Sequence, residues 1–181
     1  LATALPYGIN RLLAGLVFCL GLILVVVGGA ELFTGNNLIV MAWANRKVSS
    51  KALLSNWTIV YIGNFIGSLV TAALMFLSKQ YMFGSGAIGL TALNIAKSKV
   101  ELDFVQAIVL GILCNALVCL AVWMTYSARS TIDKIFAIIF PISAFVAAGF
   151  EHSIANMYFI PIGLLIKDFA SQDFWTLIGK T

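Results

Sequence analysis

Polar positions are sparse along this chain, and they come in clumps. Residues 12–30 are a run of 19 without a charge, ending at Glu31, and 32–45 are uncharged again up to Arg46. Residues 52–78 form an unbroken uncharged run of 27, and 104–128 a run of 25. Either is long enough to cross a bilayer as one helix, since about 20 residues span the hydrocarbon. Residues 135–150 are apolar, Glu151 and His152 interrupt, and 153–166 are apolar again. The pattern predicts an all-α integral membrane protein, a single transmembrane domain over 1–181. Its spans are 12–45 (broken near 28–37), 52–78, 104–128 and 135–166 (broken near 148–156).

Composition agrees with the pattern. The chain is 61% apolar and 10% charged, with a mean hydropathy of +1.03. A soluble domain has about 45–50% apolar and about 25% charged residues. There is too little polar side chain to coat a globule of this size, which excludes an ordinary cytosolic enzyme and a disordered chain. The net charge of +4 is spread between apolar runs without a basic cluster, so no nucleic-acid partner is expected. Cys19, Cys114 and Cys119 lie within apolar runs and are read as small hydrophobes, neither disulfides nor ligands. There is no HExxH, CxxC pair, Walker motif or nucleophile elbow, and one histidine cannot build a zinc site. The reading is of a non-enzyme with no cofactor and no metal.

The two broken spans align with each other at an offset of 120. Val26 falls on Val146, Gly29 on Gly149, Glu31 on Glu151 and Asn36 on Asn156. Shifted by the same offset, the span 52–78 would recur beyond the chain and 104–128 would have its partner mostly before it. The repeat therefore predicts six spans in two halves of three, continuous, broken, continuous. An odd number per half inverts the second half in the membrane. On this expectation the chain, which opens at Leu1 rather than Met, lacks the first and sixth spans.

Lys and Arg set orientation. Residues 46–51 and 129–134 carry Arg46, Lys47, Lys51, Arg129 and Lys134, five in 12 residues, against six in 51 on the other side. The denser side is expected to be cytoplasmic, with the 79–103 loop outside.

Backbone that leaves helical geometry in a bilayer must be buried in protein or line a polar path. Two symmetry-related breaks at mid-depth are the sequence pointer to a substrate site, and half-helix N-termini suit an anion. Glu31 and Glu151 are expected to accept backbone N–H groups freed by the breaks. His152 is the sole histidine, and an ionisable group within a span is functional by default. Its unperturbed pKa of ~6.5 suits proton exchange near neutrality. Thr34 is placed either to donate to a passing anion or to bond a freed carbonyl nearby. Asn36, Ser153 and Asn156 add short polar groups. Asn115, in the middle of a span, either ties down broken backbone or bonds across helices. Lys97 reads as a solvated loop charge, and Lys99 as a cation able to draw anions to a vestibule. Gly63 and Gly67 form a GxxxG packing face.

At these motifs the chain resembles the formate–nitrite transporter family. The stretch Val26–Gly35 is similar to the first family signature and Gly111–Ala121 to the second. Gly149–Met157 is similar to the stretch around the pore histidine. Tyr126–Ser130 and Asp168–Ser171 resemble the formate-channel branch more than its nitrite relatives. The resemblance implies an aquaporin-like inverted repeat, although the aquaporin Asn-Pro-Ala boxes are absent. It also implies assembly as a homopentamer with one pore per protomer in a bacterial inner membrane. By motif position His152 is the pore histidine, faced by Thr34. Leu22, Leu32, Phe33, Val118 and Phe145 are apolar constrictions, with Phe18 one turn before Leu22 joining them. Lys99 matches the lysine on the outer side. Glu31, Glu151, Asn115 and Asn156 match the polar support of the breaks. Ala116 departs from the second signature, which has a larger apolar residue there, and the family's sixth-helix Asn has no counterpart position. The implied function is passive, pH-sensitive passage of formate and similar small monovalent anions. The alternatives are a proton-coupled secondary transporter for nitrite or another small monocarboxylate, and a membrane sensor that binds the ion without passing it.

Overall fold

The computed structural model describes residues 5–179. Lys180, counted above on the external side, lies outside them. All regular elements among these residues are helical. They are α1 (Tyr7–Gly28), α2 (Phe33–Asn36), α3 (Ile39–Ala44), α4 (Ser50–Leu77), α5 (Ala87–Val100), α6 (Phe104–Thr125), α7 (Thr131–Ala148), α8 (Ser153–Phe169) and α9 (Gln172–Leu177), with a 3₁₀ turn at Gln80–Met82. The helices α1, α4, α6 and α7 are each long and apolar enough to cross a membrane. Most of their large apolar side chains, such as Val17, Leu24, Ile59 and Ile112, face outward, as a lipid solvent allows.

The chain forms two compact units, residues 1–61 with 107–152, and residues 62–106 with 153–181. The first is built on the packing of α1 against α7. Partners step backward along α7 as they step forward along α1. Arg11 reaches Val146, Gly15 lies against Ser143, and the Cys19 thiol approaches the Ile139 carbonyl at 3.5 Å. The two helices are therefore antiparallel. Cys19 and Ile139 are also 120 apart, so they are each other's repeat equivalents. A pair that maps onto itself lies on the symmetry axis, and the antiparallel crossing there is what an inverted repeat requires. Gly15 makes the approach possible. A Cβ on it would stand 2.9 Å from the Cα and carbonyl oxygen of Ser143. Cys19 also bonds the Gly15 carbonyl at 3.1 Å and lies 3.4 Å from the Ser143 hydroxyl, so this thiol is a weak polar link as well as a small hydrophobe.

The repeat extends to the helix ends. Helix α1 stops at Gly28 and α7 at Ala148, followed by Gly29 (φ 74°) and Gly149 (φ 79°), both left-handed. Glycine adopts that conformation without a Cβ penalty, and it is the common way to end a helix. Helical backbone resumes at Phe33 and at Ser153, again 120 apart. The four-residue gaps 29–32 and 149–152 are the two breaks.

In the second unit, α5 packs along α8. Gly163 permits it, since a Cβ there would be 2.2 Å from that of Ala96. Phe174 of α9 is fully buried against Tyr81, with ring centroids 5.3 Å apart. The segment expected as an external loop thus contains a 14-residue helix. Its apolar part, 87–96, is too short to span, and Lys97, Lys99, Glu101 and Asp103 follow it closely, so a reading built on uncharged runs passes over it.

Candidate functional site

The first unit brings the two breaks together at one polar contact. Thr34 Oγ1, in the single turn of α2, lies 3.2 Å from His152 Nε2, the last residue of the second gap. Both side chains are buried, 4% and 8% exposed, where the pairing decides whether such groups are tolerable. Aromatic rings enclose the imidazole. Phe145 of α7 stacks on it with centroids 5.8 Å apart and planes at 28°, and Phe18 of α1 meets it edge-on at 6.1 Å. The two phenyl rings contact each other at 5.6 Å, nearly perpendicular.

The imidazole can act as donor or acceptor toward the Thr34 hydroxyl, according to its tautomer. A charged ring would donate through Nε2 and leave the hydroxyl hydrogen free to point at an anion. A neutral ring accepts from it in the Nδ1–H tautomer and donates to it in the Nε2–H tautomer. The pair can therefore pass a proton, or a partial charge, to a small polar solute in an otherwise apolar enclosure.

Leu22, Val118 and Phe145 belong to one buried apolar cluster, and Phe18 and Leu32 pack against it. Phe33 is placed apart from that cluster. Its ring meets Tyr61 at 5.1 Å and Trp57 at 6.4 Å on α4. A cavity of about 680 Å³ adjoins Leu22 and Leu32 and is lined also by Gly29, Glu31, Asn36 and Tyr126. It includes Val48 and Thr125, near the ends of the two Lys/Arg-rich connections.

Polar side chains hold the first break from several sides. The Asn36 amide donates to the Glu31 carboxylate and, at 3.0 Å, to Asn56 Oδ1. The Trp57 indole donates to the Asn36 carbonyl at 3.0 Å. Glu31 thus receives a side-chain amide from the restarted helix. On α6, Asn115 Nδ2 lies 3.7 Å from the Cys119 sulfur, whose thiol approaches the Thr34 carbonyl at 3.6 Å. Asn115 Oδ1 is buried with no hydrogen-bond partner among the described residues. Glu151 is buried, and its backbone N–H donates to the Leu110 carbonyl at 3.3 Å. Lys99, in the last turn of α5, and Asn156, in the first turn of α8, belong to the second unit.

Sequence reasoning missed Asn56, Trp57 and the polar role of Cys119. The i, i+4 spacing of Asn115 and Cys119 was a usable signal, because it sets both on one helix face. Nothing in the 52–78 run distinguishes Trp57 from an ordinary lipid-facing aromatic.

Comparison with known proteins follows the same lines. The family profile described as "Formate/nitrite transporter" matches residues 1–180. The chain is 51% identical over 176 residues to the formate channel FocA of Escherichia coli (strain K12), covering 97% of this chain and 62% of that protein. It is 45% identical to the formate channel FocA of Haemophilus influenzae, covering 96% of this chain and 61% of the relative. A solved structure described as a pentameric formate channel with formate bound superposes with a TM-score of 0.94. The identity is 49%, over 99% of this chain and 71% of that one. The chain thus spans about three-fifths of the length of these curated relatives. With four helices among the described residues long and apolar enough to span a bilayer, and this match along its length, it is a multi-pass membrane protein and belongs to the formate/nitrite transporter family.

Proposed function

We propose that this chain forms the anion path of a passive, pH-sensitive formate channel. The channel would assemble as a homopentamer in a bacterial inner membrane, with 46–51 and 129–134 in the cytoplasm. The observation that carries the proposal is the buried Thr34–His152 hydrogen bond, which joins the two breaks inside an aromatic and aliphatic enclosure. Likeness to proteins described as formate channels supports the substrate.

The energetics favour a proton-assisted route. Formate is a carboxylate with a pKa near that of Asp, ~3.9. Passing apolar rings as a bare ion costs at least several kcal/mol. Protonating it at pH 7 takes about three pK units, roughly 4 kcal/mol at 1.36 kcal/mol each. Lys99 and the loop amides gather the anion outside. His152, with Thr34, then lends a proton or a positive field. The neutral acid crosses the side chains of Phe18, Leu22, Leu32, Val118 and Phe145 and ionises beyond them. The cavity beside Leu22 and Leu32 receives it.

The test is flux of formate and nitrite through the full-length protein in liposomes, with and without a pH gradient. Formate is expected to run only down its own gradient, faster as the pH falls. His152→Asn is expected to flatten that pH dependence. Accumulation against the formate gradient, or a preference for nitrite, would replace the channel with a proton-coupled carrier. An unchanged pH profile in His152→Asn would remove the proton-lending role.

A further inference from the structure

The second break opens at the C-terminal carbonyls of α7. Helix α7 closes with Gly149 N–H on the Val146 carbonyl at 3.1 Å and Phe150 N–H on the Phe145 carbonyl at 3.0 Å. The last carbonyls of any helix lack partners in the next turn. In hydrocarbon an unpartnered one costs several kcal/mol, so something must supply a donor. Arg11, from the first turns of α1, does so for Ala147 and adds a second donor at Val146, whose carbonyl already accepts from Gly149 N–H. Its Nη2 donates to the Val146 carbonyl and its Nε lies 3.4 Å from the Ala147 carbonyl. The same guanidinium lies over Gly149, where a Cβ would be 3.1 Å from Nη2. A planar cationic fork at a helix C-terminus satisfies the acceptors and complements the negative end of the dipole together.

The first break has no such clamp. The repeat equivalents of Val146 and Ala147 are Val26 and Val27, and among the described residues no side chain donates to their carbonyls. The equivalent of Arg11 is Thr131. Val25, Val26, Gly29 and Ala30 instead line the cavity, where water can reach the helix end. The cation thus marks the break that carries the histidine, three residues beyond Gly149. An arginine at the edge of a span, held by backbone carbonyls, is the kind of intramembrane charge retained for a purpose.

We infer that Arg11 is a positioning residue, which clamps the C-terminus of α7 and so fixes His152 against Thr34. The inference rests on the proposed conduction role of His152, but its structural half can be measured without flux. The experiment uses full-length protein carrying Arg11→Met, Arg11→Gln or Arg11→Lys. Reactivity of His152 toward diethyl pyrocarbonate is followed in detergent, with His152→Asn identifying its signal. Formate flux is followed in liposomes. Arg11→Met and Arg11→Gln are expected to raise His152 reactivity several-fold and to lower flux about tenfold to a hundredfold, as misplacement of a reacting group does. Arg11→Lys keeps a cationic donor and is expected to restore both in large part. Wild-type reactivity in Arg11→Met, or failure of Arg11→Lys to recover what Arg11→Gln loses, would overturn the inference. If Arg11→Met does not fold, the Lys–Gln comparison still decides it. A parent protein without formate flux whose His152 reactivity nonetheless rises on losing Arg11 would refute the channel reading and leave the clamp standing.

Discussion

At the first break the chain leaves Gly29, extends through Leu32, and enters a single turn of four residues before turning again into α3. At the second it leaves Gly149, passes His152, and enters a helix of 17 residues. The stops are the same device, a left-handed glycine 120 residues apart. The supports differ. Side chains of Asn56, Trp57 and Cys119 and a cavity surround the first, and the Arg11 guanidinium holds the second. The chemistry is divided as well. Leu32 occupies the position equivalent to His152, and Ile154 that equivalent to Thr34. Each half therefore contributes one polar group that the other lacks, and the two meet across the fold. Symmetry supplies the interruption, and departure from symmetry supplies the Thr34–His152 pair.

Removing the Thr34 hydroxyl attacks that division directly. Thr34→Val keeps the shape and is expected to reduce formate flux in liposomes about a hundredfold, the low end of what a positioned proton-transfer group contributes. The glycines compare the stops themselves. Gly149→Ala forces a Cβ into left-handed backbone, at about 1–2 kcal/mol, and sets it 3.1 Å from Arg11 Nη2. Gly29→Ala carries the same backbone cost but meets nothing within 4 Å. Thermal unfolding in detergent is expected to show the larger loss in Gly149→Ala, with flux falling in that variant more than in Gly29→Ala. Equal losses would mean that the clamp adds nothing at the second stop. The smallest effect is expected from Trp57→Phe. It keeps a ring beside Phe33 and loses one donor to the Asn36 carbonyl, about 1 kcal/mol, read by the same melt.

Much of this was legible in the residues. Charge spacing marked the helices, and Gly29, Gly149, Glu31 and Glu151 exposed a repeat that the antiparallel crossing of α1 and α7 bears out. His152 and Thr34 were each singled out from residue type and position. What could not be read was which groups support them. Trp57 and Asn56 act through the third dimension, from an uncharged run that marks neither of them out. Arg11 looked like a charge that ends an apolar run, because its partners are backbone carbonyls 135 and 136 residues away. Carbonyls leave no trace in a sequence. Helix α5 was hidden for a different reason, since a helix too short to span gives no long uncharged run.

The central claim is that the two breaks act as one site through the Thr34–His152 contact. A double-mutant cycle on formate flux, with Thr34→Val, His152→Asn and the pair combined in full-length protein, tests it most directly. If the residues work as a unit, the double variant will conduct no more slowly than the slower single one, a coupling of about 1–3 kcal/mol. If the two reductions simply multiply, the residues act independently and the contact between the breaks is not the functional site.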